Sequence, residues 1–182
     1  MYYPLILAIF TLGISPLQSQ QINFLPTPNN GIQPQALVDN RGVAHLLYYE
    51  GDPGGGNIFY VHREPGQNHF SRTLRVNSQP HTVMALGTIR GAQLAIGKNG
   101  RPHVVWDGMG SGAASENKSG AGNSAPLFYT RLNESGRAFE PERNIITYAY
   151  GLDGGSSVTA DSHGNVHVVW HAPKPGNTRT TV

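Results

Sequence analysis

Gly100-Arg101-Pro102-His103-Val104-Val105-Trp106 constrains the fold more than any other stretch of the chain, because its pattern occurs three times. Gly42-Val43-Ala44-His45-Leu46-Leu47-Tyr48 and Gly164-Asn165-Val166-His167-Val168-Val169-Trp170 lie over it in phase, and the histidines fall 58 and 64 residues apart. In each copy a glycine is followed by histidine at the third position, then by two branched or leucine side chains, then by a large aromatic ring. A short apolar run precedes each copy, at 35–38, 93–96 and 157–160. The connections are Asp39-Asn40-Arg41-Gly42, Gly97-Lys98-Asn99-Gly100 and Asp161-Ser162-His163-Gly164. Two apolar runs around a turn that ends in glycine predict a β-hairpin. A hairpin that returns about every 60 residues predicts a repeat architecture.

Composition agrees with this reading. The chain has 182 residues, of which 23 are Gly, 13 are Pro and 13% are charged, which suits one turn-rich all-β domain. No long stretch has the i, i+3, i+4 apolar spacing of an amphipathic helix. A net charge of +2, carried by scattered Arg and Lys, excludes a nucleic-acid surface. The absence of Cys removes disulfides and thiolate metal sites and leaves the compartment open.

Residues 5–12 form a continuous apolar run, followed by Gly13, Pro16 and Ser19. This predicts a signal peptide over 1–20, cleaved after Ser19 or Gln20, and a secreted or periplasmic protein. No Lys or Arg occurs before Arg41, so the usual positive leading segment is reduced to the α-amino group. The run is too short to span a bilayer, so no membrane span is expected once the leader is removed; a buried N-terminal strand is the alternative.

Residues 21–34, rich in Asn and Pro, read as an extended approach segment. The repeats follow at about 35–88, 89–152 and 153–182. Strands are expected at 35–38, 43–49, 57–62 and 73–76 in the first, and at 92–96, 103–106, 127–131 and 143–146 in the second. The third supplies its first two strands. Phe128-Tyr129-Thr130-Arg131 overlays Phe59-Tyr60-Val61-His62. An insertion at 108–125, almost wholly Gly, Ser, Ala and Asn, carries too little apolar surface to offset its ordering entropy and is expected to be a mobile loop. Four short antiparallel strands per repeat at this period predict blades of a β-propeller. About two and a half blades make a partial propeller, short of the usual four to eight. The chain stops in mid-repeat at Val182, which points to a shortened product of a longer gene; the alternative is a second copy closing the ring. Open propeller edges of this kind promote self-association.

Leu132-Asn133-Glu134-Ser135-Gly136-Arg137-Ala138-Phe139 resembles a degenerate Asp-box, the Ser-x-Asp-x-Gly-x-Thr-Trp turn of the sialidase-like (bacterial neuraminidase repeat) β-propellers. Glu134 stands at the Asp position, Gly136 matches, Phe139 replaces Trp, and Leu132 and Ala138 replace Ser and Thr. The box is a structural turn in that family. With the hairpin pattern of residues 35–172 it implies a sialidase-like propeller of secreted bacterial type. The implied function is a glycan-directed exo-α-sialidase in its complete form, with no cofactor; the alternative is a non-catalytic module that binds glycan or protein.

The resemblance also implies site residues. Arg90, in Thr88-Ile89-Arg90-Gly91-Ala92, resembles the Arg that opens an inner strand in an Arg-Ile-Pro motif and binds the substrate carboxylate, for which a guanidinium fork is well shaped. Asp107 at a strand end and Glu116 in the Gly-rich insertion are the candidates for the loop acid, provided burial raises their pKa. A sialidase also needs a Tyr nucleophile with a Glu base, and further arginines. Tyr148 and Tyr150 fall before the third inner strand, but no motif assigns them, and the chain as given is expected to be inactive. The three aligned histidines cannot converge on one substrate from successive blades, so each is expected to make a buried hydrogen bond. His167 and His171 would lie ~13 Å apart along a strand, too far to share a metal ion. Asp153-Gly154-Gly155 and the Asp39 turn are explained by turn chemistry without calcium. No metal site is expected.

Overall fold

The computed structural model describes residues 22, 24–85, 91–108, 126–146 and 155–170. Among them the chain is all-β and antiparallel. One four-stranded sheet has the order β1 (Ile32–Val38), β2 (Ala44–Asp52), β3 (Gly55–Arg63), β4 (Leu74–Arg75). A second repeats it with β5 (Gln93–Ile96), β6 (Pro102–Asp107), β7 (Leu127–Arg131) and β8 (Arg143–Asn144). A third holds β9 (Ser156–Ala160) and β10 (Val166–Trp170). The leader, the 109–125 part of the insertion and residues 171–182 lie outside the described residues.

The register repeats as well as the order. Leu47 faces Tyr60 and Tyr48 faces Phe59 in the first sheet; Val105 faces Tyr129 and Trp106 faces Phe128 in the second. The three inner hairpin turns are the same turn. The N–H of Asp39, Gly97 or Asp161 donates to the carbonyl four residues on, and Gly42, Gly100 or Gly164 donates back to the first residue. Those glycines have φ of 81°, 71° and 101°, the left-handed region that favours glycine, which is why the sequence pattern ends in Gly.

Several strand boundaries differ from expectation. β1 starts at Ile32, three residues early, and runs through Pro34. Proline has no N–H to give a ladder, but β1 pairs with β2 alone in its sheet, and the register shifts between Ile32 and Gln35, with Gln33 at φ 49°. A bulge on an edge strand is where proline is tolerated. The outer strands β4 and β8 are only two residues long each.

The sheets stack through their faces. Leu47, Tyr49, Ile58, Tyr60 and Val76 of the first pack on Leu94, Val104 and Trp106 of the second, with Val83 and Ala85 between them. Each large apolar side chain buried this way contributes about 1.5–3 kcal/mol. The third sheet lies on the other side of the second, with β9 against β5 and β6. Hence β6 is buried along its whole length, whereas β10 is largely exposed. The first strands also lie in sequence, β1 beside β5 and β5 beside β9.

Polar bonds tie the first two sheets together. Val83 bridges Gly56 and Gly108, and Met84 N–H donates to the Asp107 carbonyl. Gln35 Nε2 donates to Gln93 Oε1 at 3.1 Å. The Glu142 carboxylate accepts from Ser78 N at 2.7 Å and Gln79 N at 3.2 Å. Burial alone would raise the Glu142 pKa, but these donors hold it below its ordinary value.

Candidate functional site

Two of the aligned histidines make the expected buried bond. His45 Nδ1 lies 2.7 Å from the Tyr60 hydroxyl and His103 Nδ1 lies 2.8 Å from that of Tyr129, with the rings stacked at 6.0 Å in both pairs. Both histidines are buried. The third, His167, is exposed.

The environments then diverge at the residue that opens the turn. In the first sheet it is Asp39, whose Oδ2 stands 3.5 Å from His45 Nε2. With Nε2–H toward that carboxylate, Nδ1 is the lone-pair nitrogen and the Tyr60 hydroxyl donates to it. Burial pushes the His45 pKa down, and Asp39 partly opposes this. In the second sheet the position is Gly97, where a Cβ would come within 2.6 Å of His103 Nε2. There is no room for an acid, and burial together with the nearby Arg101 and Arg131 pushes the His103 pKa down to about 4. Burial also raises the hydroxyl pKa of Tyr60 and of Tyr129. All four side chains are therefore neutral near pH 7, as suits a packing device. Tyr129→Phe is expected to destabilise the protein by about 1–3 kcal/mol, because it leaves a buried ring nitrogen without its hydrogen-bond partner. An unchanged urea midpoint would contradict that role.

Asp39 closes its own turn. Its Oδ1 accepts from Arg41 N and Val43 N, and its Oδ2 accepts from the Arg41 guanidinium at 2.9 and 2.7 Å. Burial would raise its pKa, but these donors bring it down to about 2. Asp161 does the same work in the third sheet, accepting from His163 N, Asn165 N and Asn165 Nδ2. Both acids are thus engaged as turn caps, in line with the expectation that turn chemistry accounts for the Asp39 loop.

Where the three turns converge they enclose a groove of about 860 Å³, walled by the ends of β1, β5 and β9 and carrying Arg41, Lys98 and Asn99 on its rim. A second hollow of about 520 Å³ lies on the far side of the Lys98 turn, against Arg101, Arg131 and the Asp-box-like turn. Arg131 Nε donates to Glu140 at 2.9 Å, and Arg101 Nε donates to the Leu132 carbonyl at 2.6 Å.

The Asp-box-like segment is a closed turn. Leu132 bridges Phe139, Gly136 has φ 67°, and Asn133 Oδ1 accepts from Arg137 N and Ser135 Oγ. The capping side chain is Asn133, one residue before Glu134, which is exposed. Phe139 meets Tyr60 of the first sheet edge-on at 5.6 Å.

Of the residues singled out as a catalytic and substrate-binding set, only Asp107 is described. It ends β6, opposite Leu127, and is 2% exposed. Arg90 and Glu116 lie outside the described residues, as do Tyr148, Tyr150, Asp153 and His171. Among the described residues no three His, Asp or Glu side chains cluster as metal ligands, and no helix is long and apolar enough to cross a membrane. Sequence reasoning missed the Asp39–His45 contact and the Glu142 bridge. The first had a signal, an acid six residues before the repeated histidine; the second joins positions more than sixty residues apart and had none.

No protein-family model, curated protein or solved structure matches the chain.

Proposed function

We propose that the three sheets are successive blades of a sialidase-like β-propeller, and that the chain is an exported module that recognises glycans at a mouth of the propeller axis without hydrolysing them. The observation that carries this reading is the placing of the first strands side by side, β1 by β5 by β9, with the same turn in all three sheets and the same register and His–Tyr pair in the first two. Blades around an axis have this arrangement, and the mouths of such an axis are where ligands are bound. The Leu132–Phe139 turn, in the position of an Asp-box between third and fourth strands, supports the sialidase-like assignment.

A hydrolase is the second reading, and Asp107 favours it: a carboxyl at the end of β6 and out of water stands where a general acid would be held. Binding ranks first because a side chain 2% exposed does not meet a substrate.

The test is to present the purified protein with immobilised sialylated and neutral glycans and, separately, with an unactivated sialoside. Saturable glycan capture without turnover is expected. Turnover that Asp107→Asn abolishes would put the hydrolase first, and the absence of any glycan capture together with no turnover would overturn both readings.

A further inference from the structure

The second sheet departs from the first in charge at four places, and the four meet at one hollow. Opposite the aligned histidine the first sheet has His62 and the second has Arg131. Two residues before that histidine Val43 becomes Arg101, and within the turn Asn40 becomes Lys98. Where Ser71 N–H donates to the His62 carbonyl, Glu140 N–H donates to that of Arg131. The first sheet builds the same turn, register and His–Tyr pair with none of these charges, so the fold does not require them. The hollow is the one of about 520 Å³ between the inner turn of the second sheet and its Leu132–Phe139 turn, with Lys98, Arg101, Arg131 and Glu134 in its wall.

Arg101 and Arg131 share a single carboxylate. Glu140 accepts from Arg131 Nε at 2.9 Å through both oxygens and stands 3.7 Å from Arg101 Nη2, while Arg101 Nε donates to the Leu132 carbonyl at 2.6 Å. The two arginine side chains are 39% exposed for Arg131 and 21% for Arg101, so both guanidinium forks are held in place before a ligand arrives. Both terminal nitrogens of Arg131 and the ammonium of Lys98 are without a hydrogen-bond partner among the described residues. Three cations against Glu134 and Glu140 leave one positive charge at the hollow. We infer that this hollow binds a tetrahedral oxyanion group, the sulfate or phosphate of an ester, with the Arg131 and Arg101 forks and the Lys98 ammonium as its donors. Arg131 reaches it from the end of β7 and Lys98 from the inner turn, and donors from different directions suit an anion whose oxygens point several ways. The volume leaves room for the organic part of the ester. The inference rests on the charges of the second sheet and not on glycan recognition in the groove on the other side of the Lys98 turn.

Inorganic sulfate and inorganic phosphate are the probes, each titrated onto the full 182-residue protein against chloride at constant ionic strength. Binding is read from the ring resonances of His103, which lines the hollow. A saturable shift is expected, and the anion that binds more tightly names the ester. Arg131→Ala is expected to weaken binding about tenfold or more, the loss of charge-assisted hydrogen bonds. Arg131→Lys should weaken it by a smaller factor, because an ammonium keeps the charge and loses the fork. Lys98→Ala, at an exposed residue, should weaken it about threefold, and Glu134→Gln, which removes an opposing charge, should tighten it by a similar factor. Arg75→Ala, in β4 of the first sheet, removes the same charge away from the hollow and should leave the affinity unchanged. A loss in Arg75→Ala equal to that in Lys98→Ala would show a response to net charge alone and overturn the inference. So would the absence of a saturable shift with either anion, or an affinity unchanged in both Lys98→Ala and Arg131→Ala.

Discussion

Trp106→Ala is expected to lower the stability of the protein by about 3–5 kcal/mol, which is enough to unfold a domain of ordinary stability. The indole is fully buried, pairs across the ladder with Phe128, meets its ring at a tilt with centroids 5.7 Å apart, and belongs to the cluster that joins the first two sheets. Truncation removes the contact between two sheets as well as the transfer energy of one side chain, and β6, buried on both faces, has little freedom to close the space. Trp170→Ala, at the equivalent place in the exposed strand, is expected to change stability by less than about 1 kcal/mol. Urea midpoints of the two variants measure the difference, and equal effects would show that the second sheet is not the centre of the fold.

Acidification is expected to destabilise the protein from about pH 6.5 downward. His45 and His103 are neutral and buried, and both have pKa values below the ordinary 6.5, that of His103 at about 4. Between those values the unfolded chain binds protons that the folded chain refuses, so stability is complete above pH 6.5 and is lost as the pH falls toward 4. Protonation also reverses the polarity of the bond, since a ring with N–H on both nitrogens only donates and the Tyr129 hydroxyl must then accept. The loss is about 1–2 kcal/mol by pH 5 for His103 once residual solvent screening is discounted. Glu142 and Asp39 add to it at lower pH, because their folded pKa values lie below the unfolded ones, that of Asp39 at about 2; their share is present above the unfolded pKa and disappears as the pH falls through the folded value. Denaturant midpoints at pH 7.5, 6.5, 5.5 and 4.5 give the profile. His103→Gln should flatten its upper part; a wild-type midpoint that stayed constant down to pH 5 would mean that the histidines protonate alike in the folded and the unfolded protein.

The strands were legible in the sequence because each is bounded by punctuation that backbone geometry demands. Gly42, Gly100 and Gly164 take left-handed φ, and the alternation after them sets which side chains face the next sheet. The structural role of His45 and His103 was legible from equivalence, since residues at one place in successive repeats cannot meet; His167, which is exposed, departs from the expected buried bond. What the repeat could not convey was how its copies differ. The acid at Asp39 becomes a glycine at Gly97 because His103 fills the space, and that is a fact of packing which no spacing reveals. The bulge that lets Pro34 sit in β1 is likewise a local irregularity that propensity argues against. Glu142 reaches Ser78 across the interface of two sheets, so its partner is set by the stacking and not by its neighbours in sequence. For Asp107 the sequence indicated a strand end and a nearby insertion; its enclosure follows from β6 being an inner strand of the sheet that lies between the other two.

The proposed function depends on the first strands lying next to one another around an axis, and the absence of cysteine makes that arrangement easy to probe. Gln35 and Gln93, whose side chains touch at 3.1 Å, are changed together to cysteine and the purified monomer is treated with a short bifunctional thiol reagent. The account predicts rapid intramolecular cross-linking of this pair, and none when Gln35→Cys is combined with a cysteine at Ser135 on the outer turn. Cross-linking only between molecules, or equally by both pairs, would contradict it.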